Sequence, residues 1–348
     1  MTEQADQTQL LPEVDMEFQC RCCGHPVCSE TFKVRECDLG IGSWHWYGRC
    51  ESCKAISILQ IPDDLFRYYG GGDYYSLQNS DAGSAVGTGW KANLLRKAYF
   101  GRGPIWSLVA NAIRANVNYK HLHSTLQVTR LAELPYGARV LDVGCGAKTA
   151  FDQLNGLGFS AIDGCDPFIK NSVNRDYGTI FQSQIHDLKP TQKYNLVLFS
   201  HSLEHTEDPV AQLTAATQLL NETGRIAVLI PMGDCAEISR YGACSTLFEA
   251  PRHLFLPSRQ SMNRLIDECN LSIVATRWHQ SANTLLRSEY ISQQPATERI
   301  NFSQISAGLE TLMPPNKVEE IKQLQANWHN SAKNAAVGLY ILTPNPKR

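Results

Sequence analysis

The chain has 348 residues, 43% apolar and 19% charged, enough apolar side chain for about two full domains at roughly 150 residues each. Its 32 Lys and Arg nearly balance 34 Asp and Glu, and a formal charge of -2 excludes a grossly basic nucleic-acid or membrane-surface protein. No apolar run approaches the roughly 20 residues that span a bilayer. The polar, acidic first fifteen residues carry no readable signal peptide, so a cytoplasmic chain is expected.

Residues 1–15 read as a polar leader, and residues 16–80 as a small module. Seven of the twelve cysteines fall between Cys20 and Cys53. In a reducing compartment such a cluster reads as a metal site before it reads as disulfides. Two C-x-x-C pairs, Cys20/Cys23 and Cys50/Cys53, each let one tight turn aim two thiolates at one ion. Together they complete a tetrahedral sulfur set for a structural Zn²⁺ with no open position. Cys22, Cys28, Cys37 and His25 are surplus. Redox chemistry is the weaker reading, because no thioredoxin-like βαβ pattern surrounds either pair. The aromatics that follow, Phe66, Tyr68, Tyr69, Tyr74 and Tyr75, flank a glycine run at 70–72. A module this short buries little surface, so a metal would supply stability that its core lacks.

Residues 81–134 read as a Gly/Ser/Ala-rich linker at 81–90 and then helices. Ile105, Leu108, Val109 and Ile113 keep helical spacing, as do Leu122, Leu126, Val128 and Leu131. From residue 135 to 348 short apolar runs alternate with helical stretches. The runs at 139–144, 160–165, 179–183, 194–200 and 224–231 predict a mostly parallel sheet covered by helices. Two further runs, 271–278 and 337–343, enclose a long segment with a predicted helix near 316–332.

The first run ends in Asp142-Val-Gly144-Cys-Gly146. A strand followed by a glycine turn lets backbone N–H groups approach a ligand closely. The second run ends at Asp166, about twenty residues on, where an acid can take both ribose hydroxyls. Asp187 follows the third run, within reach of an adenine amino group. The fourth runs into Ser200-His201-Ser-Leu-Glu204-His205.

These residues resemble a class I S-adenosylmethionine-dependent methyltransferase. Asp142, Gly144 and Gly146 match that family's first motif, with Lys148 where a third glycine often stands. Asp166 matches the ribose acid, Asp187 the adenine-side acid, and Ser200–His205 the loop after the fourth strand. The resemblance implies an α/β fold, a Rossmann-like seven-stranded methyltransferase sheet with a small N-terminal zinc-binding module, the last two strands forming an antiparallel pair. It implies S-adenosyl-L-methionine as cofactor. An NAD-binding domain is the competitor, disfavoured by the missing Gly-x-x-Gly continuation. Cys20–Cys23, Cys50–Cys53, Tyr68–Tyr75, Ala250-Pro-Arg-His253 and Arg287-Ser-Glu-Tyr290 look like methyltransferases of bacterial polysaccharide and deoxysugar clusters, with a zinc-ribbon-like module. That likeness implies O- or C-methylation of a small-molecule substrate, a sugar nucleotide or glycan precursor.

Methylating a hydroxyl or activated carbon needs positioning and a general base. The candidates are His205 first, then His201, Glu204 and His253. Arg252 is a candidate partner for a nucleotide-sugar phosphate. Phe199-Ser-His-Ser replaces the Asn/Asp-Pro-Pro-aromatic motif expected for adenine-N6 methylation. An RNA methyltransferase whose zinc module reads RNA is the alternative. It is disfavoured because residues 16–60 hold only Arg21, Lys33, Arg35, Arg49 and Lys54 as basic side chains. A non-catalytic cofactor-binding module is the third reading.

Overall fold

The computed structural model describes residues 18–72, 90–115, 123–189, 191–303, 305 and 308–346. The leader, Tyr74, Tyr75 and the linker up to residue 89 lie outside the described residues. The cysteine module forms β1 (Cys28–Arg35), β2 (Trp44–Cys50) and β3 (Ile56–Ile58), followed by a 3-10 segment, Leu65–Gly72. Helices α1 (Trp90–Phe100), α2 (Pro104–Ala115) and α3 (His123–Leu131) lead into the second half.

That half alternates strand and helix: β4 (Arg139–Val143), β5 (Ala161–Cys165), β6 (Val173–Arg175), β7 (Gly178–Phe181), β8 (Tyr194–Ser200), α4 (Pro209–Leu219), β9 (Leu220–Pro231) and α5 (Ala236–Tyr241). It continues through β10 (Phe255–Leu256), α6 (Arg259–Glu268), β11 (Leu271–His279), α7 (Ala282–Gln293), α8 (Pro315–Trp328) and β12 (Val337–Pro344). Local chemistry starts two of the helices. Asp208 caps α4 by accepting from Ala211 N at 2.9 Å, with Pro209 at the first helical position, and Ser258 caps α6 by accepting from Ser261 N at 2.9 Å.

The main sheet runs β11-β12-β9-β8-β4-β5-β7-β6. The central pairs β9/β8, β8/β4, β4/β5 and β5/β7 are parallel, while β12 runs antiparallel to both β9 and β11. The expected antiparallel pair at the end of the chain is therefore present. The strand count differs from expectation: the described residues form eight, because Val173–Arg175 turns back antiparallel on β7 at the sheet edge. That strand is three residues long, none of them fully buried, so it has no apolar run to announce it.

Alternation along the strands sorts the core onto both faces. Leu141, Val143, Val197, Phe199, Ile226, Val228 and Tyr340 face one cluster. Val140, Leu196, Leu198, Ala227, Leu339 and Ile341 face the other, covered by Leu95, Ala98, Tyr99, Leu126 and Val128 of α1 and α3. A third cluster gathers α7 and α8 with Tyr241, Ile300 and Phe302. The long segment between the last two strands is thus helical at both ends; α8 meets the prediction near 316–332, and α7 had no clear signal in the sequence.

The small sheet is completed from the other half of the chain. Its order is β1-β2-β3-β10, with Phe255 opposite Ser57 and Leu256 opposite Ile56. Tyr47, Ile56, Phe248, Phe255 and Met232 then share one apolar cluster, and the Tyr47 hydroxyl donates to the His253 carbonyl at 3.0 Å.

Candidate active site and cysteine cluster

The glycine turn follows β4 directly. Gly144 and Gly146 have φ of 70° and 62°, left-handed backbone that favours glycine. A Cβ at Gly144 would lie 2.6 Å from the Ser202 Cβ, so the turn after β4 packs directly on the turn after β8. Asp166 closes the turn: its Oδ2 accepts from Gly146 N at 2.9 Å and its Oδ1 from Phe168 N at 2.8 Å. Burial raises Asp166 against those two N–H groups. Asp142 is buried and accepts from Ala150 N at 2.6 Å; burial pushes its carboxyl up to about 7. Ser200 ends β8 half-buried, and the buried Ser202 hydroxyl has no hydrogen-bond partner among the described residues. Asp187 stands exposed on a 3-10 turn, 3.8 Å from His186. The fold thus brings Asp142, Gly144, Gly146, Asp166 and Ser200 to the ends of adjacent strands and leaves Asp187 in solvent.

The second cluster lies just past β8. His201 has φ 54° and a 47% exposed side chain, with Nδ1 3.5 Å from Glu204 Oε1. Burial lowers His201, but the Glu204 carboxylate more than offsets this, so its pKa is raised. Glu204 is fully buried, and neither carboxyl oxygen has a hydrogen-bond partner. His253 approaches from the segment before β10, with Nε2 3.9 Å from Glu204 Oε1 and 3.7 Å from Glu249 Oε2. The rings of His205 and His253 meet edge to face at 4.7 Å. Backbone carbonyls hold both: His205 Nδ1 is 2.9 Å from the Arg252 oxygen, and His253 Nδ1 is 2.6 Å from the Leu247 oxygen. Burial lowers each imidazole to about 4, assisted at His205 by its neighbour His253 and opposed at His253 by Glu249.

Around this cluster runs a belt of ion pairs. Arg252 Nη2 donates to Glu249 Oε2 at 2.8 Å and to Asp38 Oδ2 at 2.5 Å, and Arg287 lies 3.5 Å from Asp38 Oδ1. Burial pushes the Glu249 carboxyl up, and Arg252 with His253 and His205 overcomes it, holding Glu249 at about 2. Asp38 is pushed up to about 6 by burial and by Glu249, against Arg252 and Arg287. Arg252 is thus buried and engaged by two carboxylates of its own chain. Sequence reasoning missed Asp38 and Phe168, and assigned no role to Tyr69. The Tyr69 hydroxyl is 3.2 Å from His205 Nδ1, and its ring stacks on Phe168 at 5.5 Å and 17°. Only the neighbouring Asp166 and the Tyr-Tyr segment hinted at that contact.

The four predicted cysteines also converge. The Sγ atoms of Cys20 and Cys53 are 3.5 Å apart, those of Cys23 and Cys50 are 3.7 Å apart, and all four lie within 4.8 Å of one another. Zn–S bonds of about 2.3 Å in a tetrahedron put sulfurs roughly 3.8 Å apart. Two tight turns set them up: Gly24, at φ 65°, donates from N to Cys20 O at 2.8 Å, and Lys54, at φ 63°, donates from N to Cys50 O at 3.1 Å. The donor set and spacing fit zinc.

Residues 118–276, from before α3 into β11, match the family model described as a methyltransferase domain. The chain carries a methyltransferase domain. The match encloses the glycine turn and all of the Glu204 cluster. No curated protein matches it. Among solved structures, the chain resembles the YcgJ protein of Bacillus subtilis at 12% identity and a TM-score of 0.39, covering 63% of this chain and 97% of that one. It resembles geranyl diphosphate C-methyltransferase from Streptomyces coelicolor A3(2) at 14% and 0.42, covering 81% and 97%. Coclaurine N-methyltransferase resembles it at 16% and 0.42, covering 66% and 74%. Likeness at this level says nothing of acceptor or chemistry.

Proposed function

We propose that the chain transfers the methyl group of S-adenosylmethionine to an oxygen or carbon of a small molecule, a sugar or nucleotide-linked sugar. The observation that carries this reading is the His201–Glu204 pair, a half-exposed imidazole backed by a buried carboxyl, on the turn that packs against the glycine turn. Asp142, Gly144, Gly146, Asp166 and Ser200 would hold the cofactor, with Asp187 toward its adenine. The orphaned Ser202 hydroxyl and the left-handed glycines fit a polar ligand there. When bound, the cofactor supplies an electrophilic methyl group on a sulfonium. The protein then has to hold a nucleophile in line and accept its proton.

We place that base at His201 rather than at His205. Glu204 near Nδ1 orients the His201 ring and raises its basicity, leaving Nε2 for the acceptor. The His205 Nδ1 is occupied by a backbone carbonyl and its ring stays neutral down to about pH 4. Tyr69 and Phe168 would wall the acceptor side, bringing the tail of the cysteine module over the turn that Asp166 closes. The cysteine quartet would hold a structural Zn²⁺.

Methyl-labelled S-adenosylmethionine, offered low-molecular-weight metabolites and total RNA from a bacterial lysate, tests the acceptor. Label in sugar-containing small molecules supports the reading. Label confined to RNA overturns it.

A further inference from the structure

Glu204, His205 and His253 present ligating atoms within 4.8 Å of one another. We propose that these residues bind a divalent transition-metal cation that holds and polarises an oxygen of the methyl acceptor.

The tautomers come first. His205 Nδ1 and His253 Nδ1 each contact a backbone carbonyl, that of Arg252 and that of Leu247. A carbonyl only accepts, so each Nδ1 carries the proton and each Nε2 keeps its lone pair. Metal-binding histidines are fixed in this way by a carbonyl or carboxylate behind them.

The carboxyl supplies the second observation. Glu204 is 0% exposed, and both of its oxygens lack a hydrogen-bond partner. A buried carboxyl that makes no hydrogen bond, with imidazoles only at 3.5 Å and 3.9 Å, is costly, and a cation among these groups removes that cost.

The spacing is the third. Nε2 of His253 is 3.9 Å from Glu204 Oε1, too far for a hydrogen bond. Donors around a cation with bonds of about 2.0–2.2 Å sit roughly 3–3.5 Å apart, so ligands already within 4.8 Å of one another close onto the ion by side-chain rotation. Two imidazoles and a carboxylate suit Zn²⁺, Fe²⁺ or Mn²⁺ better than Mg²⁺ or Ca²⁺, and three protein ligands leave positions open for substrate oxygen. Glu249 is close to His253, but Arg252 occupies its Oε2.

The cation site stands on geometry alone; its use in catalysis rests on the methyl-transfer reading. A bound cation lowers the pKa of an acceptor hydroxyl. The hydroxyl proton passes to His201 Nε2, the acceptor oxygen forms its bond to the methyl carbon, and the carbon–sulfur bond breaks with its electron pair left on sulfur.

Mn²⁺ is the probe, because thiolate sites select softer ions. The full chain is titrated with Mn²⁺ while free ion is followed by paramagnetic resonance. One Mn²⁺ per chain is expected, with binding weakened at least tenfold in Glu204→Gln and in His253→Asn. Mn²⁺ should also raise the melting temperature of the unsubstituted chain by mass action, a readout that does not depend on either variant folding. Absence of Mn²⁺ uptake with no rise in melting temperature overturns the site, as does uptake unchanged in both folded variants. Full-rate methyl transfer by protein dialysed free of Mn²⁺ and holding no ion beyond one zinc overturns the cation's role and leaves methyl transfer standing. Uptake lost in Glu204→Gln, with no transfer to any acceptor pool, supports the site and overturns the methyl-transfer reading.

Discussion

Asp142 and Asp166 look alike in the sequence, each an acid beside a strand end, yet their surroundings differ. Asp142 is enclosed with one backbone N–H, and its pKa sits near 7. Its folded value lies above the unfolded one, so its contribution to stability falls as pH rises from about 4 through 7. Asp142→Asn cannot ionise, and thermal melts at pH 5 and pH 8 should show the variant gaining on the parent at the higher pH. Asp166 instead accepts from two backbone N–H groups that shape the glycine turn. Hydrogen bonds to a charged group are worth about 1.5–3 kcal/mol each. Asp166→Ala should therefore lose cofactor affinity by tenfold or more in a calorimetric titration; unchanged affinity would mean the cofactor binds elsewhere. His201→Gln tests the base, with a drop in kcat at steady KM and loss of the acid limb of the pH–rate profile as the expected result.

At the scale of elements, the seam between β3 and β10 links the cysteine module to the His253 segment. Phe255 is fully buried there, flanked by His253, whose carbonyl accepts from Tyr47. Phe255→Ala removes a large aromatic from this core and should cost about 3–5 kcal/mol in denaturant unfolding. Replacing Cys50 by Ser should release the metal we assign to the quartet and loosen β2 and β3 together. Hydrogen exchange would then rise not only at Trp44–Ile58 but also at Phe255–Leu256, because those amides share one small sheet. Protection retained at Phe255–Leu256 would show that the seam holds without the metal.

For the whole molecule, one apolar cluster runs from Cys20 and Tyr47 through Phe248 and Met232 to Val228 of the main sheet. A shared core couples the parts it serves, so calorimetry should record a single transition rather than a separate early melt of the cysteine module. The same continuity places Asp38 of the module against Arg252 and Arg287 of the other half. No helix among the described residues is long and apolar enough to cross a membrane.

The sequence by itself determined what depends on short-range order. The short apolar runs marked seven of the eight strands described in the main sheet, because a central strand buried on both faces must be apolar along its length. The glycine turn, Asp166 and the two C-x-x-C pairs were legible because tight turns and paired thiolates demand fixed spacings. The tertiary structure alone decided what depends on long-range pairing. Val173–Arg175 became a strand only by pairing with β7, and Phe255–Leu256 only by completing a sheet whose other strands lie about 200 residues away. His205 and His201 stand four residues apart in the chain and read as near equivalents. His201 meets Glu204 three residues on, but the carbonyl that occupies His205 Nδ1 comes from Arg252, 47 residues along the chain, and no local pattern encodes that contact.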